Sequence, residues 1–192
     1  MAAETPVSMF PPDAINLNDN YRDWYGPELE QLKEEPLWVD EEAAHEKEVI
    51  RFLFIPGATR IKGRDSTVIR IEIENGKARL IARAQFNQPG RRNVRTLADK
   101  GLSHAQVAEL QELANKADPW KFRIGDWGEH DPEAIYIHCT ELIMERRLRS
   151  EYAVSHVLVS CEQPNRLMPL VNYVAELAGQ RQKDLRYTYV TE

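Results

Sequence analysis

The strongest structural signal in this chain is the segment 68–84, where two alternating apolar runs flank Asn75-Gly76. An Asn-Gly pair in this setting favours a type I′ turn, which needs positive φ at both central residues. A two-residue turn also fixes the cross-strand pairs: Ile69–Ala82, Ile71–Leu80, Ile73–Ala78, Glu72–Arg79 and Glu74–Lys77. The segment therefore predicts an antiparallel hairpin with one core face and one solvent face.

Composition restricts the class of protein. A chain of 192 residues, 42% hydrophobic and 29% charged, is typical of one globular domain with polar ends. The net charge of −6 disfavours a nonspecific binder of nucleic acid or anionic membranes, because such binding depends on neutralising phosphates with Lys and Arg. No apolar run approaches the roughly 18 residues that a membrane span needs.

The chain divides into three regions. We expect a flexible amino-terminal arm over 1–20, anchored by Phe10 or Ile15, one folded domain over 21–179, and a carboxy-terminal tail over 180–192. The tail is expected to be disordered, with an added strand or docking arm through Leu185 as the alternative.

Periodicity predicts the order of elements. A helix after the turn at Gly26, running to Glu34, precedes an apolar and therefore central strand over 49–55. After the hairpin and a possible strand over 86–97, a capping box at Ser103 starts a helix that ends near Asp118. Strands over 134–143 and 152–161, joined by an exposed RRLRS connection, precede a helix that is capped near Asn165 and ends at Gly179.

These elements predict an α+β fold. We expect a two-layer sandwich, with a mostly antiparallel sheet of five to six strands and two or three helices packed on one face.

The two cysteines, Cys139 and Cys161, exclude a CxxC zinc site and a dense disulfide framework. Their apolar surroundings favour two buried thiols over a single disulfide. The opening residues lack the basic and apolar regions of a signal peptide. This predicts a cytoplasmic protein if Met1 is the natural start, and a periplasmic or exported one if a signal segment was removed.

An acidic loop over 126–133 is the best candidate for chemistry. Carboxylates and imidazoles are ligands for divalent metals and groups for acid-base catalysis. The candidate metal ligands are Asp126, Glu129, His130, Asp131 and His138. Their spacing matches neither an EF-hand loop nor a His-Glu-x-x-His helix, and a solvated acidic loop explains the cluster equally well. His138 and His156 on neighbouring strands, near Glu141, form a related zinc candidate.

Aromatic residues near both ends are the candidates for partner binding. Tyr and Trp anchor many protein interfaces, although they also close the ends of hydrophobic cores. The five residues are Trp24, Tyr25, Trp38, Tyr187 and Tyr189.

The order of apolar and aromatic residues over roughly 21–178 resembles an uncharacterised bacterial protein family that has no assigned activity. The residues that carry the resemblance are Trp24, Tyr25, Leu29, Leu32, Pro36, Leu37, Trp38, the run 51–54 and the run 68–72. Members often appear exported or lipid-anchored, and their middle strands carry a Trp-x-Leu-Glu pattern. The corresponding stretch here, 136–141, lacks the Trp.

Two functional hypotheses follow. The first is a non-catalytic binding or accessory module that engages a protein partner, or a second copy of itself, through a sheet edge, the aromatic segment or the tail, and needs no cofactor. The second is a metal-dependent hydrolase that uses the 126–133 loop.

Overall fold

One antiparallel sheet organises the protein. A computed structural model describes residues 8–12, 20–39, 47–57, 64–88, 91–121, 139–159, 165–181 and 185. These residues contain the helices α1 (Asn20–Gln31), α2 (His104–Ala117) and α3 (Met168–Leu177), and a one-turn 3-10 helix, Pro119–Lys121. The strands are β1 (Lys47–Ile55), β2 (Arg64–Glu74), β3 (Lys77–Gln88), β4 (Arg91–Leu102), β5 (Glu141–Leu148) and β6 (Glu151–Leu158). They pair antiparallel in the order β4-β3-β2-β1-β5-β6, so β1 is central, as its apolar sequence predicted.

The β2–β3 hairpin has the predicted geometry. Asn75 and Gly76 both have positive φ, of 49° and 71°, and all five predicted cross-strand pairs occur in the observed register. The apolar side of the hairpin is buried, with Ile69, Ile71 and Leu80 fully inaccessible to solvent. A two-residue turn therefore fixed the register, as the physics of tight hairpins requires.

The predicted α+β architecture is confirmed. The helices α2 and α3 pack on one face of the sheet, where Phe52, Ile71 and Leu142 belong to the same buried cluster as Leu110 and Val174. Ser103 caps α2: its side chain accepts from the Gln106 backbone, while the Gln106 side chain accepts from the Ser103 backbone. This capping box, and the helix end at Asp118, match the sequence prediction.

The opposite face of the sheet is covered as well. Helix α1 lies there, and its buried residues Tyr25, Leu29 and Leu32 share a second cluster with Leu53 and Val68. The far side of the β2–β3 hairpin is consequently not a simple solvent face. Its turn end is exposed, whereas Ser66, Val68 and Gln85 are buried farther along the strands.

Two predictions concern the region of α1. The predicted turn at Gly26 is wrong, and the predicted anchoring of the amino-terminal arm by Phe10 is observed. Helix α1 runs through Gly26 and Pro27, so Gly26 does not divide a turn from a helix. A Cβ at Gly26 would lie 3.7 Å from Met9, which shows how closely the amino-terminal segment packs against the helix. Phe10 is buried in the same cluster, so it anchors the arm as predicted.

The RRLRS connection was predicted incorrectly. Arg146, Arg147 and Leu148 belong to β5, and the turn is reduced to Arg149-Ser150, with φ of 57° at Arg149. Arg147 is buried and its guanidinium donates to the Leu37 carbonyl at 3.2 Å. The polar sequence predicts an exposed loop. Sequence alone does not reveal that a distant backbone carbonyl accepts a hydrogen bond from Arg147 and allows this arginine to be buried.

Helix α3 starts without the predicted cap. Its N-cap position is Leu167, which makes no side-chain hydrogen bond, and Pro169 lies in the first turn, where a missing N–H is tolerated. The predicted end at Gly179 is confirmed by a φ of 67° and by the Gln180 amide donating to the Ala175 carbonyl. Leu185 is buried against the main cluster, which favours the docking alternative at that position.

The expectation of two free thiols was wrong. Cys139 forms a disulfide, and Cys161 is the only other cysteine of the chain. Cys139 immediately precedes β5, and nearby the Val159 amide donates to the Thr140 carbonyl at 2.9 Å. Cys139 thus forms its disulfide beside the open end of the β5–β6 hairpin, which the strand-like sequence pattern around it does not reveal.

Across the parts of the chain that the structure describes, no helix combines the length and the apolar character that crossing a bilayer demands.

Reduction of the disulfide should destabilise the fold. A crosslink around a hairpin of this size removes unfolded-state entropy worth about 3 kcal/mol. We expect denaturant unfolding with and without reductant to show this difference in the free energy of unfolding. Cys139→Ser should behave like the reduced protein and be insensitive to reductant, and equal unfolding midpoints for all three samples would contradict the assignment.

Candidate functional site

A buried arginine in the central strand is the foundation of the site. The side chain of Arg51 has no solvent exposure. Its Nε and Nη2 donate to the two carboxylate oxygens of Glu145, its partner on β5, at 2.7 and 2.8 Å, and its Nη1 donates to the Glu35 carbonyl at 2.8 Å. Such bidentate, charge-assisted hydrogen bonds satisfy a guanidinium that would otherwise be very unfavourable in the interior.

A second buried carboxylate lies among three arginines. The side chain of Glu34 is also inaccessible to solvent. Its carboxylate accepts hydrogen bonds from Arg70 Nη1 at 3.0 Å and from Arg83 Nη1 at 3.1 Å, and Arg51 Nη1 lies 3.5 Å away. Arg51 and Arg70 are cross-strand neighbours of equal charge, which would repel without this carboxylate. We call these residues, together with Glu145, the arginine cluster.

The arginine cluster also holds the carboxyl end of α1. Arg83 Nη1 donates to the carbonyls of Leu32, at 3.3 Å, and Lys33, at 2.9 Å, where the helix ends with a left-handed residue, Lys33. Cations near the last carbonyls of a helix interact favourably with its dipole. The cluster therefore holds the carboxyl end of α1 at a defined position on the sheet.

Ionisation in the cluster follows from this geometry. Burial disfavours the charged guanidinium of Arg51, but the charge and hydrogen bonds of Glu145, with the charge of Glu34, prevail and raise its pKa. Burial and the negative charge of Glu145 both raise the pKa of Tyr152, whose hydroxyl donates to Glu145 at 2.8 Å. Arg51 is consequently a permanent cation and Tyr152 a permanent donor.

A cleft of about 290 Å³ opens above the arginine cluster, between the segment after α1 and the sheet. Five cationic and two anionic side chains are among the residues that line it: Lys33, Lys47, Arg70, Arg83, Arg147, Glu35 and Glu72. We call it the basic cleft. Its excess of positive charge contrasts with the net charge of −6 on the whole chain, and its lining suits anionic groups.

A separate polar group joins the other half of α1 to β5 and β6. The Glu141 carboxylate accepts from the Tyr25 hydroxyl at 2.5 Å and contacts His156 Nε2 at 2.5 Å. Tyr25 and His156 are both buried, and their rings meet edge to face at 5.2 Å. Burial opposes the negative charge of Glu141, but hydrogen bonds from His156 and Tyr25 prevail and lower its pKa. The group acts as a hydrogen-bonded attachment of α1 to the sheet.

The predicted metal site lies outside the described residues. The ligand candidates Asp126, Glu129, His130, Asp131 and His138 all lie outside them. Within the described ranges, no three His, Cys, Asp or Glu side chains are grouped to hold a metal ion. Of the zinc hypothesis, the described structure brings together only His156 and Glu141.

The aromatic candidates have different environments. Tyr25 is buried in the core, and Trp38 is partly buried with its indole Nε1 donating to the Ser8 carbonyl at 2.8 Å. Trp24 is 68% exposed and so presents an aromatic surface on α1. Tyr187 and Tyr189 lie outside the described residues.

Sequence reasoning missed the basic cleft. The available signal was a single arginine inside each of two otherwise apolar runs, Arg51 in the β1 run and Arg70 in the β2 run. A charge inside a strand that is buried on both faces needs a partner, and this requirement could have prompted a search for carboxylates. The sequence gives no indication of which carboxylates these are, because Glu34 and Glu145 belong to segments other than the two strands, 17 and 94 residues from Arg51.

Comparison with known proteins adds no assignment, since neither a family model nor a curated protein matches the chain.

Removing Arg51 should destabilise the protein strongly. Arg51→Met leaves Glu145 buried without its bidentate partner, and breaking a buried pair in this way costs about 3–5 kcal/mol. Chemical denaturation would measure the loss. Arg79→Met is the matched control, because the Arg79–Asp99 pair is exposed and its loss should change stability little. Equal effects of the two substitutions would contradict the proposed importance of Arg51.

Glu141 should contribute to the acid sensitivity of the fold. Because its pKa is lower in the folded state, its stabilisation is present above the ordinary carboxyl pKa and is lost as the pH falls through the lowered value. We expect Glu141→Gln to be less stable at neutral pH, and to lose less stability than the unsubstituted protein between about pH 5 and pH 3. Denaturation at several pH values tests this, with exposed Glu151→Gln as the control; identical acid profiles would refute it.

Proposed function

We propose that the protein is a non-catalytic binding module that engages an acidic segment of a protein partner through the basic cleft. The observation that carries the proposal is the set of five cationic side chains around a cleft of about 290 Å³ on a chain of net charge −6. A local cationic cleft attracts carboxylates selectively, because the acidic remainder of the surface repels them.

The β4 edge of the sheet is less suited to partner binding than the cleft. At the β4 edge the register shifts between the pairs Ala82–Ala98 and Arg83–Thr96, so Leu97 is an extra residue on that strand. Such bulges interrupt the row of backbone groups that an added strand needs. This bulge favours the cleft over strand addition at that edge.

The exposed ring of Trp24 supports a protein as the partner. Tryptophan is enriched among residues that dominate binding free energies at protein interfaces. With the cleft supplying charge and Trp24 supplying apolar contact area, a partner segment that combines acidic and apolar residues fits best.

Binding of a labelled acidic peptide tests the proposal. We expect a peptide of alternating Glu and apolar residues to bind at low ionic strength, measured by fluorescence anisotropy, and to weaken as salt is added. A peptide with Lys in place of Glu should not bind. Lys33→Ala combined with Lys47→Ala removes two cleft charges and should weaken binding about tenfold, given about 0.7 kcal/mol for each exposed charge.

The matched control is Lys100→Ala combined with Lys116→Ala, which changes the net charge equally but lies outside the cleft. We expect this double variant to bind like the unsubstituted protein. Equal losses for both double variants, or no binding of the acidic peptide by the unsubstituted protein, would overturn the proposed function.

A further inference from the structure

We infer that Glu72 is an internal competitor in the basic cleft. Its carboxylate forms ion pairs with Lys47 and Arg70, and a partner carboxylate displaces it and pairs with the same two cations on binding. The inference rests on the proposed function and specifies which groups of the cleft contact the ligand and what sets the affinity.

The position of Glu72 supports this role. Its Oε2 lies 3.3 Å from Lys47 Nζ, and its Oε1 lies 3.1 Å from Arg70 Nε. All three side chains line the cleft, and the Glu72 side chain is 22% exposed. An anion of the protein therefore already lies between two cations of the candidate binding site.

The contact between Glu72 and Arg70 is imperfect. Although Arg70 Nε is within 3.1 Å of Glu72, this buried atom has no hydrogen-bond partner among the described residues. The pair attracts by charge without a well-directed hydrogen bond. A buried donor without a hydrogen bond is unfavourable. A carboxylate that aligns with the Arg70 Nε–H therefore gains a hydrogen bond that Glu72 does not form.

Arg70 is held by a buried partner, whereas Glu72 is partly exposed. Arg70 Nη1 is bound to Glu34 at 3.0 Å, and that carboxylate is completely buried within the arginine cluster. The two ion pairs of Glu72 are to Arg70 and Lys47, whose side chains are 16% and 32% exposed, so water can replace Glu72 as their partner. An incoming carboxylate can thus displace Glu72 without disturbing the arginine cluster.

Glu72→Gln tests the inference with the acidic peptide described above. Removing the competing charge should tighten binding about fivefold, which corresponds to the roughly 1 kcal/mol of a partly exposed ion pair. Glu35→Gln is the matched control: it lies in the same cleft and changes the net charge equally, but its carboxylate forms no ion pair with Lys47 or Arg70 in the described structure. The gain for Glu35→Gln should stay below about twofold.

Arg70→Lys in the Glu72→Gln background provides a second test. Lysine keeps the positive charge but lacks Nε–H, so the tightened affinity should return to about that of the unsubstituted protein. The ¹⁵Nε–¹H signal of Arg70 should also shift and become protected from solvent exchange when the peptide binds. Thermal unfolding of each variant confirms that the fold is retained.

The outcomes separate the two proposals. Peptide binding with no gain for Glu72→Gln, or with an equal gain for Glu35→Gln, overturns the competitor role and leaves the proposed function standing. Absence of peptide binding by the unsubstituted protein overturns the proposed function, and the competitor role with it.

Discussion

The charge of Arg51 in the middle of the central strand is the constraint on which the α1 side of the sheet depends. A guanidinium without solvent contact is tolerable only when its donors are satisfied and its charge is balanced. Glu145 does this from the neighbouring strand, and Glu34 with the Glu35 carbonyl does it from the chain after α1. The ion pair thus couples strand pairing to helix docking.

This coupling explains why a basic cleft exists at that position. The residues that satisfy Arg51, Arg70 and Arg83 hold the end of α1 against the sheet, and the segment that follows, through Leu37, forms one wall of the cleft above the strands. Most of the arginine charge is balanced by Glu34 and Glu145 below. The cleft above them is also lined by Lys33 and Lys47, which lie outside this buried network.

The sequence predicted best where the determining interactions are local. The hairpin turn at Asn75-Gly76, the capping box at Ser103 and the helix end at Gly179 each depend on residues within a few positions, and all three are observed. The failures involve distant partners. The polar sequence at Arg147 predicts a loop because its acceptor, the Leu37 carbonyl, is remote in sequence. For Cys139, apolar surroundings favoured a buried thiol over the disulfide that forms, because they do not distinguish the two.

By itself, the sequence determined the strand periods, the hairpin register and the α+β class, because alternation and turn chemistry act between near neighbours. The tertiary structure decided that α1 covers the second face, that arginines from β1, β2 and β3 surround one carboxylate, and that a cationic cleft forms above them. Burying a charge requires a partner but does not specify which one. Only the packing of distant segments makes that choice.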